Sequence, residues 1–531
     1  MSHFINARET AVPEAIEGLV AASGGALTRL DGFPFIRVVL RSDWDRSRVA
    51  VISGGGSGHE PAHAGFVGRG MLTAAVCGDI FASPSVDAVL AAILAATGPA
   101  GCLLIVKNYT GDRLNFGLAA ERARAFGLRV EMVIVQDDVS LPGISRPRGV
   151  AGTLLVHKIA GAVAENGGDL DAVTAAAQRS AARAASVGLS LKSCTIPGSP
   201  GDSRIPPGDI EFGLGIHGEP GAERLAFTGV AAAMARAADA LAATIGAGPH
   251  VALLNNLGAT TGLEMAVLAR ALLTSSLGPR LSHIIGPAPT MTALDMHGFS
   301  LTLYPAGDDD LPLLQAPVAV PGWPGLHRFA APAPVSLPAG LQPVDPVPSA
   351  CPAHAALVRR VCHALIGAEA ALNALDARSG DGDTGSTLAT AARSLLDRLD
   401  ALPQADLTQL FRAIARELSQ TMGGSSGVLL AIFFEASGDA LSRGKSLAAG
   451  LRAGLDRLQQ VGGARPGDRT MVDALRPALE ALHAGLPEAA HAARKGADLT
   501  ATMAKAMAGR ATYVSEAHLV GHLDPGAEAV A

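Results

Sequence analysis

Along the first ~330 residues, short β-branched apolar runs alternate with longer Ala-rich stretches of helical period, the pattern of α/β architecture. The spacing predicts strands over Arg37–Leu40, Val49–Ile52, Leu103–Val106, Arg129–Val135, His250–Asn255 and Leu301–Tyr304. It predicts helices over Ser85–Thr97, Gly117–Phe126, Gly149–Asn166 and Thr261–Leu273. The pattern then changes. Ala330 to Pro352 carries seven prolines and almost no charge, and reads as a semi-extended linker. Beyond it, residues 355–517 keep a 3.6-residue period broken near 380, 403, 423, 440, 463, 486 and 509, which predicts seven or eight amphipathic helices. The expected organisation is an N-terminal α/β domain (1–329), a linker (330–352) and a C-terminal all-α bundle (353–531).

Composition narrows the function classes. The chain of 531 residues is 49% hydrophobic and 17% charged, as expected of compact domains with proper cores. Its net charge is −6 and no Lys/Arg run stands out, so a nucleic-acid role has no electrostatic footprint. The five cysteines are scattered and form no CxxC pair, a usage that suits a reducing cytoplasm. Met1 to Glu9 lacks a basic region leading into an apolar one, so no signal peptide is expected there. The uncharged run Val89–Val106 reaches membrane-spanning length, but Thr97-Gly-Pro99 breaks it into helix, turn and strand.

The densest chemistry lies between Leu375 and Thr387, where Asp376, Asp381 and Asp383 fall within eight residues and Gly380, Gly382 and Gly385 free the backbone to fold them toward one point. Hard divalent cations take oxygen ligands, and Mg²⁺ held by few carboxylates completes its shell with water and phosphate oxygens. A nucleotide-bound metal is the first reading, and a polar turn after a helix is the plain alternative. An EF-hand fails, because its third and twelfth positions fall on Gly385 and Ala392. In the same domain, Gly423-Gly-Ser-Ser-Gly427 opens an apolar helix from Val428 to Phe434 and can cradle an anion, or can equally be a turn with serine caps.

Three familiar patterns fail on context. His59-Glu-Pro-Ala-His63 matches the zincin HExxH, but Pro61 and the preceding Gly54–Gly58 deny it a helix. Gly213-Leu-Gly-Ile-His-Gly218 matches a dinucleotide fingerprint, but Asp209–Phe212 makes a poor buried strand and Asp239 falls in a helical run. Gly423–Gly427 matches a nucleophile elbow but follows a helix. In the first domain, loops Ser53–Pro61 and Lys107–Arg113 follow strands, where open α/β sheets bind ligands, and a Gly-rich loop without a Walker lysine suits a small polyhydroxylated molecule. His217 stands in a third Gly-rich loop, Gly213–Gly221, as a reachable imidazole or a structural one.

Taken together, Ser53-Gly-Gly-Gly-Ser-Gly-His-Glu-Pro-Ala-His-Ala-Gly65, Lys107-Asn-Tyr-Thr-Gly-Asp-Arg-Leu-Asn-Phe-Gly117, Gly215-Ile-His-Gly-Glu-Pro-Gly221 and Gly380-Asp-Gly-Asp-Thr-Gly-Ser386 closely resemble the single-chain, ATP-dependent dihydroxyacetone kinases. The stretches Gly467-Asp-Arg-Thr-Met471 and Gly509-Arg-Ala511 add to the likeness, which covers nearly the whole chain. The resemblance implies a ketone-binding α/β domain and an eight-helix nucleotide domain. It implies that His217 adds to the substrate carbonyl as a hemiaminal, that Gly56, Ser57, Gly58, His59, Lys107 and Asp112 hold hydroxyls, and that Asp112 is also the general base with His59 orienting. It implies Mg²⁺ on Asp376, Asp381 and Asp383, and ATP bordered by Asp381, Gly382, Asp383, Thr384, Ser425, Ser426, Gly462, Thr470, Met471, Asp524, Pro525 and Gly526. A last helix continuing well past Asp524-Pro-Gly526 is also implied, and only five residues follow the motif here.

The chemistry is coherent. Phosphoryl transfer needs in-line positioning and charge neutralisation, a hemiaminal pins a small flexible ketone by one bond, and only a neutral imidazole, with an ordinary pKa of ~6.5, can attack. Three alternatives remain: a related hydroxyketone such as erythrulose as substrate, an FAD-AMP lyase (cyclising) side activity, or a catalytically silent ketone sensor. A sensor would be expected to have lost an Asp of the cluster or the adduct histidine, and this chain keeps them. The expected partners are hydroxyketone, ATP and a second copy of the chain in a homodimer whose linker permits domain exchange, in the cytoplasm.

Overall fold

The computed structural model describes residues 3–32, 35–141, 143–198, 204–307, 309–338 and 346–531. The chain divides into two compact units, Met1–Pro334 and Val335–Ala531. The central part of the expected linker, 339–345, lies outside the described residues; on either side of it, 330–338 and 346–351 carry no helix.

The first unit holds two sheets. One contains β1 (Leu27–Arg29), β2 (Val38–Arg41), β3 (Ala50–Ser57), β4 (Ala74–Ile80), β5 (Cys102–Lys107) and β6 (Val130–Val135), in the order β1-β2-β4-β3-β5-β6. Its centre, β4-β3-β5-β6, is parallel. β3 and β5 are buried along their whole length, which is why they read as continuous apolar runs. Even-numbered residues such as Ile52 and Leu104 pack against helices Val86–Ala96 and Thr110–Ala125, while odd-numbered Val51 and Leu103 face the opposite layer.

The second sheet contains β7 (Ala185–Lys192), β8 (Asp209–Phe212), β9 (Glu223–Ala226), β10 (His250–Asn256), β11 (Leu281–Pro289), β12 (His297–Pro305) and β13 (Leu326–Arg328), ordered β13-β11-β10-β12-β7-β8-β9. Helices Thr153–Glu165 and Leu170–Arg183 lie between the sheets, sharing one core with Leu103 and Ile105 on one side and Val251 and Ile285 on the other. The first of these is buried almost all round, as a helix between two layers must be. Helices Val230–Ala242 and Gly262–Thr274 cover the far face, the latter opened by a capping box of Thr261 and Glu264.

Several expectations shift. Ser53–Ser57 is strand rather than loop: β3 continues beside β4, pairing Gly54 with Val76 and Gly55 with Cys77. Glycine permits this, because a Cβ on Gly56 would come within 2.7 Å of the Ala82 nitrogen. The helix expected from Gly117 begins at Thr110, so Asp112 stands in a first helical turn rather than a loop. Asp209–Phe212 does form a strand with three buried residues, but it pairs antiparallel and runs into a loop, so the dinucleotide pattern still lacks its helix. No α-helix spans His59–His63, as expected.

The second unit is helical throughout. Eight helices of eight residues or more, Pro352–Gly367, Glu369–Asp376, Thr384–Asp397, Leu407–Thr421, Gly424–Ser442, Leu447–Gly462, Val472–Ala481 and Leu486–Thr500, precede the short Glu516–Leu519 and Pro525–Val530 among the described residues. Consecutive helices pack on one another, and the last returns against Glu369–Asp376 and Leu486–Thr500. No described helix in the chain is long and apolar enough to cross a membrane.

Candidate functional site

In the first unit the carboxyl ends of β3 and β5 converge with the loop after β8. His59 follows β3, Lys107 ends β5, and His217 lies in the third loop. The His59 and His217 rings meet edge to face with centroids 4.8 Å apart. Phe81 and Tyr109 complete the enclosure of His217, at 5.6 and 4.6 Å.

The two histidines are held in defined tautomers. His59 is fully buried and its Nδ1 lies 2.7 Å from the Thr292 carbonyl, which can only accept, so Nδ1 carries the proton and Nε2 the lone pair. Burial, then the charge of Lys107, pushes His59 well below the ordinary imidazole value and keeps it neutral. The Glu219 carboxylate takes the His217 main-chain N–H at 3.0 Å and Nδ1 at 3.2 Å, leaving Nε2 of His217 as the bare nitrogen. Burial alone would raise Glu219, but its hydrogen bonds from His217 outweigh it and bring the carboxyl down to about 2. A Cβ on Gly215 would overlap the Glu219 carboxylate, so a side chain there would displace that carboxylate from His217.

Lys107 is fully buried, its Nζ 5.8 Å from the Tyr109 ring centre, and burial lowers its pKa. His59 Nε2, Lys107 Nζ and Tyr109 Oη are all buried without a partner in the protein. Buried polar atoms are ordinarily satisfied, so this unused capacity around His217 is what a small polar ligand would meet. Asp112 is buried and accepts a hydrogen bond from Ser83. The other two loop candidates are engaged internally: Ser57 Oγ donates to the Gly78 carbonyl at 2.8 Å, and the Gly58 N–H donates to Glu60 at 2.9 Å.

In the second unit Asp376 ends its helix, and one oxygen, Oδ2, accepts from the N–H groups of Gly382, Asp383 and Thr384 at 3.1, 3.0 and 3.2 Å. The loop thereby folds so that one oxygen from each of Asp376, Asp381 and Asp383 lies within 4.8 Å of the others. Partial burial and then the charges of Asp381 and Asp376 raise Asp383, while Arg510, ion-paired to Asp381, lowers that carboxyl. Three clustered carboxylates short of positive charge fit a hard divalent cation.

Thr384, Ser426, Met471 and Gly526 border one apolar cavity of about 340 Å³. Gly423, not a serine, caps the Gly424–Ser442 helix and no side chain closes its N-terminus, so Ser425 and Ser426 stand in a first turn whose amides are open to an anion. Gly462 packs on Leu429 of that same helix. Other candidates do structural work: Asp524 caps the Pro525–Val530 helix through Ala527 at 2.8 Å, and the Thr470 N–H donates to Asp473 at 2.8 Å.

Sequence reasoning missed Glu219, Tyr109, Ser83, Thr292 and Arg510. Glu219 was findable, two residues from His217 in the same glycine-rich motif, whereas Ser83 and Thr292 arrive from other strand ends with no local signal.

Comparison with known proteins agrees with this division. The profile of the Dak1 domain matches residues 17–322, and that of the DAK2 domain matches residues 378–531. The dihydroxyacetone kinase of Citrobacter freundii is 49% identical over 99% of this chain and 97% of its own. The triokinase/FMN cyclase of Mus musculus is 40% identical over 99% and 96%. The crystal structure of the C. freundii kinase in complex with AMP-PNP and Mg²⁺ superposes with a TM-score of 0.70 at 47% identity, covering 100% of this chain and 98% of that one. A Dak1 domain and a DAK2 domain in one polypeptide, with this degree of likeness over their full length, make this chain a member of the dihydroxyacetone kinase family.

Proposed function

We propose that this protein transfers the γ-phosphoryl group of ATP to a terminal hydroxyl of dihydroxyacetone, with the ketone held covalently on Nε2 of His217. The observation that carries the reading is the Glu219–His217 pair, which leaves a bare Nε2 beside the unpartnered polar atoms of His59, Lys107 and Tyr109. The names of the relatives support the substrate and the nucleotide.

In this reading Nε2 shares its lone pair with the carbonyl carbon, and the π pair moves to oxygen. Nδ1 yields its proton toward Glu219 and the oxygen gains one, so the ring ends neutral. Lys107 and the bare Nε2 of His59 take up substrate oxygens, and His59 orients the reacting hydroxyl. Asp112, steadied by Ser83, accepts that hydroxyl's proton as its oxygen attacks phosphorus. Asp376, Asp381 and Asp383 would hold Mg²⁺, which supplies charge neutralisation at the phosphate oxygens. Thr384, Ser425, Ser426 and the Met471–Gly526 border would receive the nucleotide.

The test is a Mg-ATP assay over dihydroxyacetone, erythrulose, glyceraldehyde and glycerol, with FAD included for cyclising activity. With dihydroxyacetone labelled at its carbonyl carbon, the ¹³C signal should leave the ketone region on the wild-type protein. It should stay there on His217→Ala. A wild-type protein that never moves the signal refutes the covalent role.

We also propose that 1–329 and 353–531 fold separately and work as a homodimer in the cytoplasm, with a linker long enough to let the two chains exchange domains. The proline-rich tether, and five cysteines that are all free, support this. The two fragments, mixed, should regain weak activity. A fully active monomer by light scattering would exclude the dimer.

A further inference from the structure

A second cavity, of about 580 Å³, adjoins the glycine strand of the ketone half. None of His59, Lys107, Asp112 or His217 lines it, while Gly56 and Ser57 of the glycine strand do. Its apolar walls come from Ile16 and Leu19 of the Arg8–Ala22 helix, from Pro61 and from Trp323, with Gly55 and Gly56 along one side. Those glycines carry no side chains, and Lys107 and His63 approach the same face of the strand at Gly55. A Cβ on Gly55 would stand 3.1 Å from Lys107 Nζ and 3.6 Å from His63 Nε2.

His63 is the polar side chain on this cavity whose ring has no partner, whereas Ser57 and Glu60 are engaged. It is 4% exposed, it lines the space, and neither ring nitrogen has a partner in the protein. The nearest ring, His157, has its centroid 5.2 Å away and turns its own Nε2 to Ser53 at 3.1 Å. Burial, then the charge of Lys107, holds His63 well below the ordinary imidazole value, so it is neutral and offers one donor and one acceptor. A side chain with both valences open in the interior calls for a hydrogen-bonding guest.

The walls state what else that guest must be. The volume lies within the roughly 300–1,000 Å³ of small-molecule sites. An anion would face the Glu60 carboxylate on the lining, and a cation would face the Lys107 ammonium beside Gly55. A full charge would also lose its hydration among apolar side chains.

We propose that this cavity is a binding site for a small uncharged amphiphile of the short-chain alcohol class, its hydroxyl on His63 and its alkyl chain along Ile16, Leu19 and Trp323. Occupancy of the site can be read without turnover.

Trp323 provides the signal. The chain has two tryptophans, and Trp44→Phe leaves Trp323 as the sole indole. Titrating that full-length protein with 1-hexanol should change its emission saturably, with hexanoate and hexylamine at least about tenfold weaker. His63→Leu should weaken hexanol binding at least about tenfold, and His63→Gln, which keeps a donor and an acceptor, should restore most of it. Ala15→Phe, on an exposed position at the rim, should block entry while circular dichroism stays unchanged, and it decides the matter if His63→Leu fails to fold. A response that rises linearly without saturating overturns the proposal, as does unaltered affinity in a folded Ala15→Phe protein.

Discussion

In the proposed reading, where the first unit holds the ketone and the second the nucleotide, the two halves would hold their ligands in opposite ways. In the ketone half three of the candidate side chains are buried and set before any ligand arrives, His59 and Lys107 fully and Asp112 nearly so, while His217 is half-buried. In the nucleotide half Asp381 and Asp383 are exposed, and the three-carboxylate cluster is short of positive charge. The difference follows from what each ligand brings. A triose offers one carbonyl and two hydroxyls, so the protein must supply a dry, preorganised surround. A metal-nucleotide carries its own charges, so open carboxylates suffice and desolvation is left to the ligand.

The largest test of that contrast is Asp383→Asn. It should abolish turnover, more than about 10³-fold, by removing one hard anionic ligand. Without Mg²⁺ its thermal midpoint should be unchanged or higher, because the Asp381 and Asp376 charges oppose the native carboxylate. A fall in midpoint with turnover retained would make the loop structural.

His217→Ala comes next, lowering kcat/KM for ketone about 10³-fold and shrinking the preference over glycerol, since both would then be held by hydrogen bonds alone. Unchanged preference would reduce His217 to a loop-ordering residue. Glu219→Gln should cost roughly 10²-fold, chiefly in KM, because an amide no longer fixes which ring nitrogen is bare. Wild-type kinetics would show that the tautomer is set elsewhere.

The smallest effect is a difference in pH response. Glu219 is depressed to about 2, so its contribution is complete above its ordinary value and is lost as pH falls from ~4.5 toward 2. Asp524 is raised to about 6 by burial, so the folded nucleotide half binds its proton more tightly than the unfolded chain does. That half should therefore lose stability as pH rises from ~4 to ~6 and level off above. Asp524→Asn, which keeps an acceptor for Ala527, should flatten the second trend by a few degrees in thermal midpoint. Parallel slopes in wild type and variant would remove Asp524 from the account.

Legibility in the sequence differed between the halves for a physical reason. The helical half was readable because 3.6-residue periodicity is local, and the breaks expected near 380, 423 and 463 fall at real helix ends. In the α/β half β5, β6 and β10 lie close to their expected bounds, but β4, β7 and β11 were missed and β3 runs further than expected. Gly54–Gly56 carries no β propensity, and its extended form is imposed by pairing with residues more than twenty positions away. The Asp cluster was legible for the same local reason as the helices. Ser83 and Thr292 were not, because tertiary packing brings them to Asp112 and His59.

Asp376 has a consequence for the order in which ligands assemble. One of its two oxygens is committed to three backbone amides, so the loop keeps its shape without a cation and only the other oxygen is free to bind one. With at most one oxygen from each carboxylate, an octahedral cation would still need about three further oxygens from water or phosphate. The bare ion should bind feebly and exchange fast. Joined to a nucleotide it should bind far more tightly, each component raising the affinity of the other by the same factor. The enzyme would then take metal and nucleotide from solution as one complex, and chelation would silence it reversibly with no refolding needed to restore it.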